Sequence, residues 1–360
     1  PVPQSRSDGL NPMPLPPSAT PAPLDAPSLL PMLQRYVAAK FGTGAQAQNL
    51  AVMEMGHAGL TFGFEVVAAT GPHPLARLIL KLAPPGVRRL GNTDVYRQAP
   101  LLRALHASGL PVPDVPFAGA DEADFGTPFI MMERLAGRPF IVWEPDPEFD
   151  RAPAAVAAIH LQCVDALAAL HRFDWRRHLP DWEVPRPLIE EVTRWDGVLA
   201  KAPEPAWVAA GHRVRERLLA AMPDGAPIGL VHGDFQPGNA LFDGGRLTGI
   251  IDWELASIGS QLLDLGWMMM MADPASWHRD WMPLTAPAPD IVRARYERAM
   301  GRPFANLAWY QALAGYRLGA ISCLNVRLHR TGRRVDAMWE KFALAVPSLF
   351  GRALELLAAE

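Results

Sequence analysis

The stretch IGLVHGDFQPGNALFDGGRLTGIIDWE, residues 228–254, decides the fold. Its central DGG, residues 243–245, is typical of a tight hairpin turn, because glycine readily adopts the positive φ angles that such turns require. A hairpin at this point returns Asp252 toward the segment that carries Asp234 and Asn239. The sequence therefore predicts a single site with two carboxylates and one amide, whose hard oxygen atoms suit Mg²⁺.

Upstream of this stretch the pattern predicts a small antiparallel sheet with helices beside it. Residues 1–27 are rich in proline, serine and alanine and predict an extended tail. Helical spacing begins at Ser28 and ends near Gly42. The remaining predicted elements are strands at 50–55, 61–69 and 76–82, a helix within 93–108 whose start or kink is marked by Pro100, and a strand over 128–135.

Downstream of residue 136 the chain is mostly helical apart from the hairpin. The predicted helices cover 154–172, 203–222, 289–299, 304–329 and 335–357. The fold class is therefore α+β, with a β-rich lobe at 28–135 and a larger helical lobe at 136–360.

Composition argues against several classes of function. The formal net charge is −3 with no run of lysine and arginine, which excludes a general attraction to nucleic acid. Two cysteines favour a reducing compartment. No signal-peptide pattern is present, and the apolar run at 267–272 is too short to span a bilayer. We therefore expect a cytoplasmic protein that uses no membrane, and no protein partner is implied.

The spacing of Asp234, Asn239 and Asp252 favours phosphoryl transfer. That reaction needs a carboxylate aimed at the acceptor hydroxyl, oxygen ligands for magnesium, and positive charge on the nucleotide phosphates. The catalytic loop of protein kinases places its aspartate five residues before a metal-binding asparagine, with a second metal-binding aspartate beyond. Asp234 and Asn239 have this spacing. Taken alone, an aspartate after glycine would be read as the start of a turn.

The pair HGDFxxGN and IDWE resembles the signature of aminoglycoside phosphotransferases and their choline kinase, macrolide kinase and homoserine kinase-like relatives. It is most similar in character to the phosphotransferase-like domains that are fused to acyl-CoA dehydrogenases or encoded near them. The resemblance runs from about residue 30 to the end of the chain. It implies a protein-kinase-like fold with ATP between two lobes, and transfer of the γ-phosphate of MgATP to a hydroxyl group of a small molecule.

The resemblance also implies roles for the residues of the motif. Asp234 would be the catalytic base, and Asn239 and Asp252 would bind magnesium. His232 would position the loop, and Asp264 would hold the loop from below.

For the nucleotide, the resemblance implies that Lys81 contacts the phosphates. The run 56–61, with Gly56 and Gly59, matches a loop that covers them. The strand 130–135 matches the hinge, whose backbone at Met132, Glu133 and Leu135 would bind adenine.

One departure and two alternatives stay open. Gln98 stands where relatives commonly have a glutamate that pairs with the lysine, which raises the alternative of a nucleotide-binding pseudokinase. A metal-dependent phosphohydrolase would use His171, His178 and His232 with Asp234.

The acceptor pocket is expected from the segments 155–215 and 270–330. Several tryptophans leave a bulky or apolar acceptor open, namely Trp175, Trp182, Trp195 and Trp207.

Overall fold

The computed structural model describes residues 24–53, 60–71, 73–285 and 287–359. The first helix, α1 (Ala26–Phe41), begins two residues before its predicted start at Ser28. The reason is a capping box, in which Asp25 Oδ1 accepts from Ser28 N at 2.9 Å and Ser28 Oγ accepts from Asp25 N at 3.1 Å. Such a box satisfies two backbone N–H groups that the first helical turn leaves without partners.

A five-stranded antiparallel sheet follows α1. Its strands are β1 (Gln46–Val52), β2 (Leu60–Val67), β3 (Ala76–Leu82), β4 (Phe117–Gly119) and β5 (Phe129–Glu133), in the spatial order β1-β2-β3-β5-β4. The strand predicted at 50–55 lies at 46–52 instead. Gln34 of α1 explains the earlier start, since its amide bonds both the carbonyl and the N–H of Ala47, at 2.7 and 3.0 Å.

The two faces of this sheet have different neighbours. Phe62, Phe64 and Leu80 share a hydrophobic core with Leu33 and Val37 of α1. Because successive strand residues point to opposite faces, Thr61 and its register partner Lys81 belong to the other face. The lysine therefore points away from α1.

The helix α2 (Gln98–Ala107) begins two residues before Pro100, as its first-turn proline allows. Its residues Leu101, Leu102 and Leu105 are buried in the same core as the large helical part of the chain, and not with α1. The small sheet and the helical part are thus joined through α2. The division at residue 135 stays a prediction.

The rest of the chain is mostly helical, as predicted. The longer helices are α3 (Pro153–His171), α7 (Pro205–Ala220), α8 (Leu262–Ala272), α9 (Pro289–Met300), α10 (Leu307–Arg330) and α11 (Met338–Ala358). Short helices α4 (Trp175–His178), α5 (Leu188–Thr193) and α6 (Asp196–Leu199) lie between α3 and α7. Among the described residues, α3 is long and apolar enough to cross a bilayer by length and composition, yet nine of its residues are buried in the core.

Sequence patterning missed α8 because every one of its residues is buried. A helix covered on all sides carries no polar stripe and therefore no amphipathic signal. The prediction that its run of Trp267 and four methionines packs in the core is confirmed.

The predicted hairpin is present as β8 (Ala240–Asp243) and β9 (Arg246–Ile250). Gly244 and Gly245 form its two-residue turn with φ angles of 54° and 76°, which is the conformation such a turn needs. A short strand β6 (Arg138–Pro139) pairs with β8. A second pair, β7 (Ile228–Val231) with β10 (Ser257–Ser260), sets Val231 opposite Ser257. The segments 232–239 and 251–256 are consequently brought together.

Candidate active site

The loop after β7 is held from below by Asp264 of α8. The Asp264 carboxylate accepts the backbone N–H groups of His232 at 2.7 Å and Gly233 at 2.8 Å. His171 lies 3.4 Å from the same carboxylate and 2.7 Å from the Tyr296 hydroxyl. Burial alone would raise the pKa of Asp264, but its hydrogen bonds and the neighbouring histidines outweigh burial and lower that pKa. This carboxylate therefore stays ionised and fixes the start of the loop, in the position that the family resemblance implies.

His232 orients the loop through its ring. Its Nε2 lies 2.9 Å from the carbonyl oxygen of Ile251, which can only accept, so Nε2 carries the proton. Its Nδ1 then accepts the N–H of Asp234 at 3.3 Å. Both nitrogen atoms are engaged within the protein, which agrees with a positioning role and leaves neither free for proton transfer.

Gly233 permits the sharp turn in front of Asp234. Its φ angle is +92°, and a β-carbon here would lie 2.6 Å from the carbonyl oxygen of Leu255. Both the positive φ and the close approach exclude other residues without rearrangement.

The half-buried Asp234 receives two side-chain amides. Gln236 Nε2 donates to Oδ1 at 3.0 Å, and Asn239 Nδ2 donates to Oδ2 at 2.9 Å. Burial raises the pKa of Asp234 above that of an ordinary aspartate, while the positive charge of Arg317 opposes the increase and the negative charge of Asp252 adds to it. A carboxylate with a raised pKa is a stronger base than a free one, provided that it stays ionised.

Asp252 lies next to Asn239, as the hairpin predicts. The Ile251 N–H donates to the Asn239 carbonyl at 2.9 Å. Asp252 adopts a left-handed conformation with φ 63°, an uncommon state for a residue other than glycine. The Asn239 amide nitrogen is used by Asp234, so its side-chain oxygen is left as an acceptor. One carboxylate and one amide oxygen fit Mg²⁺, which usually takes one or two protein ligands together with substrate phosphates.

Lys81 is paired with Glu254, and not with Gln98. The buried Nζ lies 3.1 Å from Glu254 Oε2 and 3.8 Å from Asp252 Oδ1. Gln98 Nε2 is buried and has no hydrogen-bond partner among the described residues. The interpretation of Gln98 as the lysine's partner is therefore wrong. Its position on α2 is correct, but a carboxylate from the IDWE motif occupies the place next to the ammonium.

Arg97 is a residue of this region that sequence reasoning missed. It donates to the carbonyl groups of Glu254 and Ala256, and its Nε lies 2.9 Å from Glu183. The Trp182 indole N–H donates to the Arg97 carbonyl at 2.8 Å. Arg97 thereby attaches the start of α2 to the segment that follows Asp252. An arginine preceding a helix gives no signal of such a contact in the sequence.

The predicted hinge, residues 130–135, comprises the end of β5 and the two residues after it. Met132 is the register partner of Ile79 on β3, and the Glu133 N–H donates to the Asp114 carbonyl at 2.9 Å. The Leu135 side chain packs over Gly249 of β9 and leaves no room for a β-carbon there. Leu135 thus joins the end of the sheet to the hairpin. Gly56 and Gly59, the predicted phosphate-loop glycines, lie outside the described residues.

The histidines of the phosphohydrolase alternative do not form a metal centre. In the described part of the chain, no three histidine, cysteine, aspartate or glutamate side chains are grouped to hold a metal ion. His171 bonds Tyr296 and Asp264, and His178 stacks on Phe173 with ring centroids 5.3 Å apart. Their positions support structural roles.

Comparison with known proteins agrees with this geometry. The model of the phosphotransferase enzyme family (APH) matches residues 59–314. The probable acyl-CoA dehydrogenase IBR3 of Arabidopsis thaliana is 33% identical over 232 residues, 61% of this chain and 28% of that protein. Human acyl-CoA dehydrogenase family member 11 is 28% identical over 192 residues, 52% of this chain and 24% of that protein. The chain thus matches only about a quarter of the length of these relatives.

Solved structures share the fold across nearly the whole chain. A predicted aminoglycoside phosphotransferase from Ralstonia eutropha superposes with a TM-score of 0.71 at 21% identity, covering 91% of this chain and 98% of the other. A thermostable mutant of aminoglycoside phosphotransferase APH(4)-Ia, solved with ADP and hygromycin B, gives a TM-score of 0.57 at 16% identity, with the same coverage of each chain. These likenesses confirm the protein-kinase-like fold. The matched family model covers most of the chain, and the chain belongs to the phosphotransferase enzyme family.

Proposed function

We propose that this protein transfers the γ-phosphate of MgATP to a hydroxyl group of a small molecule, with Asp234 as the catalytic base. The observation that carries the proposal is the convergence of three motif residues beside a buried lysine. Asn239 bonds Asp234, Asn239 meets the backbone before Asp252, and Asp252 lies 3.8 Å from Lys81. A base, two oxygen ligands and a cation in one place are the parts that phosphoryl transfer needs.

In the proposed reaction, Asp234 accepts the proton of the acceptor hydroxyl as that oxygen attacks the γ-phosphorus. The new P–O bond forms while the bond to the β,γ-bridging oxygen breaks, and ADP leaves. The positive charge of Arg317 supports the ionised form of Asp234, and the Gln236 and Asn239 amides orient it. Magnesium held by Asn239 and Asp252 would neutralise charge on the phosphates.

Lys81 is the proposed contact to the α- and β-phosphates. An ammonium group has three donors, so it can keep its bond to Glu254 while donating to phosphate oxygens. For adenine we propose the backbone of Glu133 and Leu135, with Met132 at the back of the site. Gly56 and Gly59 remain the proposed phosphate-loop positions.

The alternative is a nucleotide-binding pseudokinase, which Gln98 first suggested. The pairing of Lys81 with Glu254 weakens that alternative, because a carboxylate accompanies the lysine after all. The relatives that are acyl-CoA dehydrogenase family members extend well beyond the matched segment, so the dehydrogenase activity in their names is not proposed for this chain.

The test is Mg²⁺-dependent ADP release with a library of hydroxyl compounds, together with calorimetry of ATP binding. Asp252→Ala should weaken ATP binding in magnesium and change it little in EDTA, because it removes a metal ligand. The matched control is Asp224→Ala, an exposed aspartate in the loop before β7. Equal magnesium-dependent affinity in Asp252→Ala and wild type would contradict the metal assignment. A wild type that binds MgATP but phosphorylates nothing would favour the pseudokinase.

A further inference from the structure

A second buried cation contacts the loop that carries Asp234. It comes from the helical part of the chain, whereas Lys81 comes from the sheet. Arg317 of α10 is 9% exposed, and its Nη2 donates to the carbonyl of Gly233, directly before Asp234. Its guanidinium carbon lies 5.0 Å from the centre of the Trp267 ring and 5.7 Å from that of Trp195. The guanidinium carbon of Arg194 also lies over the Trp195 ring, 5.0 Å from its centre. We refer to Arg194, Trp195, Trp267 and Arg317 as the arginine–tryptophan cluster.

Three donors of this cluster lack an acceptor in the described part of the chain. Arg317 Nε, Trp195 Nε1 and Trp267 Nε1 are all buried, and none has a hydrogen-bond partner among the described residues. Buried N–H groups without an acceptor are uncommon in folded proteins, and several around one guanidinium call for an explanation. An acceptor group supplied by a ligand or by water would satisfy them.

The charges of the region favour an anion over water. Arg186 and Arg194 share a single buried carboxylate, Glu191, at 2.8 and 3.4 Å. Burial lowers the pKa of Arg194, Glu191 opposes this effect, and the positive charges of Arg186 and Arg317 add to it. Glu191 thus pairs with Arg186 and Arg194, whereas Arg317 has no ion pair among the described residues.

The elements that build this cluster differ from those of the nucleotide side. Lys81, Met132, Glu133 and Leu135 come from the sheet and the hinge, whereas the arginine–tryptophan cluster comes from the segments around α5 and α6 and from α8 and α10. Lys81 approaches Asp252, whereas Arg317 donates to the carbonyl of the residue directly before Asp234. Through Arg317, the cluster thus adjoins the loop that carries Asp234 and is built from elements other than those around Lys81.

We infer that the arginine–tryptophan cluster binds an anionic group, a carboxylate or a phosphate, of the alcohol that is phosphorylated at Asp234. The inference rests on the proposed function and names its class of acceptor. A planar guanidinium suits both anions, and indole N–H groups add donors. A cationic group at the same position would instead be repelled by the guanidinium groups of Arg194 and Arg317.

The experiment compares alcohols of matched length and different charge. Hydroxycarboxylates, their neutral amides, the corresponding amino alcohols and glycerol phosphates are each supplied with MgATP, and ADP release and the phosphate ester are measured. We expect kcat/KM to be at least about tenfold higher for the anionic alcohols, and their KM to rise with ionic strength as charges are screened. The hydroxycarboxylate and glycerol phosphate arms distinguish the two kinds of anion.

Two variants test the residues themselves. Arg194→Gln should raise KM for anionic alcohols by about tenfold, as expected for a lost charge-assisted hydrogen bond, and leave KM for neutral alcohols and for ATP unchanged. Arg194 is partly exposed, so this variant is expected to fold. The control is Arg327→Gln. Arg327 lies on α10, about 15 Å from Arg317 along the helix axis, and has no ion pair among the described residues.

Each outcome decides a different point. Preference for neutral or cationic alcohols, or an Arg194→Gln variant with unchanged KM for anionic alcohols, overturns the inference and leaves the proposed function standing. Failure to phosphorylate alcohols of any charge, despite MgATP binding, overturns the proposed function and the inference with it.

Discussion

Lys81 and Arg317 are both buried cations at the catalytic loop, but their surroundings differ. Lys81 lies between two carboxylates, Glu254 at 3.1 Å and Asp252 at 3.8 Å. Within the described part of the chain, Arg317 makes one hydrogen bond, to the neutral Gly233 carbonyl, and it lies over the rings of Trp195 and Trp267. Asp234 is the carboxylate whose pKa it influences. The charge of Lys81, on the proposed nucleotide side, is thus compensated by adjacent acids. The charge of Arg317 is compensated only in part.

This difference indicates what each side is prepared to bind. A buried charge without a close partner is unfavourable, so proteins rarely keep one that does nothing. On the proposed nucleotide side, Asp252 would also bind the metal, and the Lys81 ammonium has donors left for phosphates. In the arginine–tryptophan cluster, the partly compensated charge of Arg317 and the N–H groups without an acceptor favour an anionic ligand. The following predictions test how far the two sides act independently.

The largest effect is expected for Asp234→Asn, which should reduce kcat by a factor of about 10² to 10⁴, because the amide cannot accept the hydroxyl proton. Affinity for MgATP should stay within about threefold of wild type, since on our assignment Asp234 is not a nucleotide ligand. Single-turnover transfer and calorimetry measure the two quantities. More than about a tenth of wild-type turnover in a folded variant would remove Asp234 from the role of base.

A smaller effect is expected for Glu254→Gln. It replaces the charged partner of Lys81 by a neutral amide, and we expect kcat/KM for ATP to fall about tenfold. Gln98→Ala should change it less than about threefold, because the Gln98 amide nitrogen makes no hydrogen bond among the described residues. Steady-state kinetics with varied ATP measure both variants. A larger loss in Gln98→Ala than in Glu254→Gln would reverse our assignment of the lysine's partner.

The smallest effect concerns the pH dependence of Arg317→Gln. Asp234 must be ionised to act as a base, so kcat/KM should fall as the pH falls through its raised pKa. Arg317 opposes the rise in that pKa. Removing its charge should therefore raise the pKa further and move the acidic limb of the profile to higher pH. A lower activity with an unmoved limb would mean that Arg317 only supports the structure of the loop.

Much of the fold and the centre of the site follow from the sequence alone. The spacing of Asp234, Asn239 and Asp252 predicts their association because the intervening hairpin is a local structure, specified by its glycine turn and two short strands. The amphipathic helices and the alternating strands of the sheet carry periodic signals for the same local reason. Asp264 was placed beneath the loop by its resemblance to the family, and the structure confirms that position.

Tertiary structure alone decided the pairing of the charges. Lys81 and Glu254 are 173 residues apart, and only the fold brings the IDWE motif, in place of Gln98, next to the lysine. Arg97 and the arginine–tryptophan cluster are likewise assembled from distant helices. Residues so far apart leave no periodic trace, because their contacts depend on how whole elements pack. The sequence by itself therefore determined the reacting centre, and only the packing of helices around it decided which charges surround that centre.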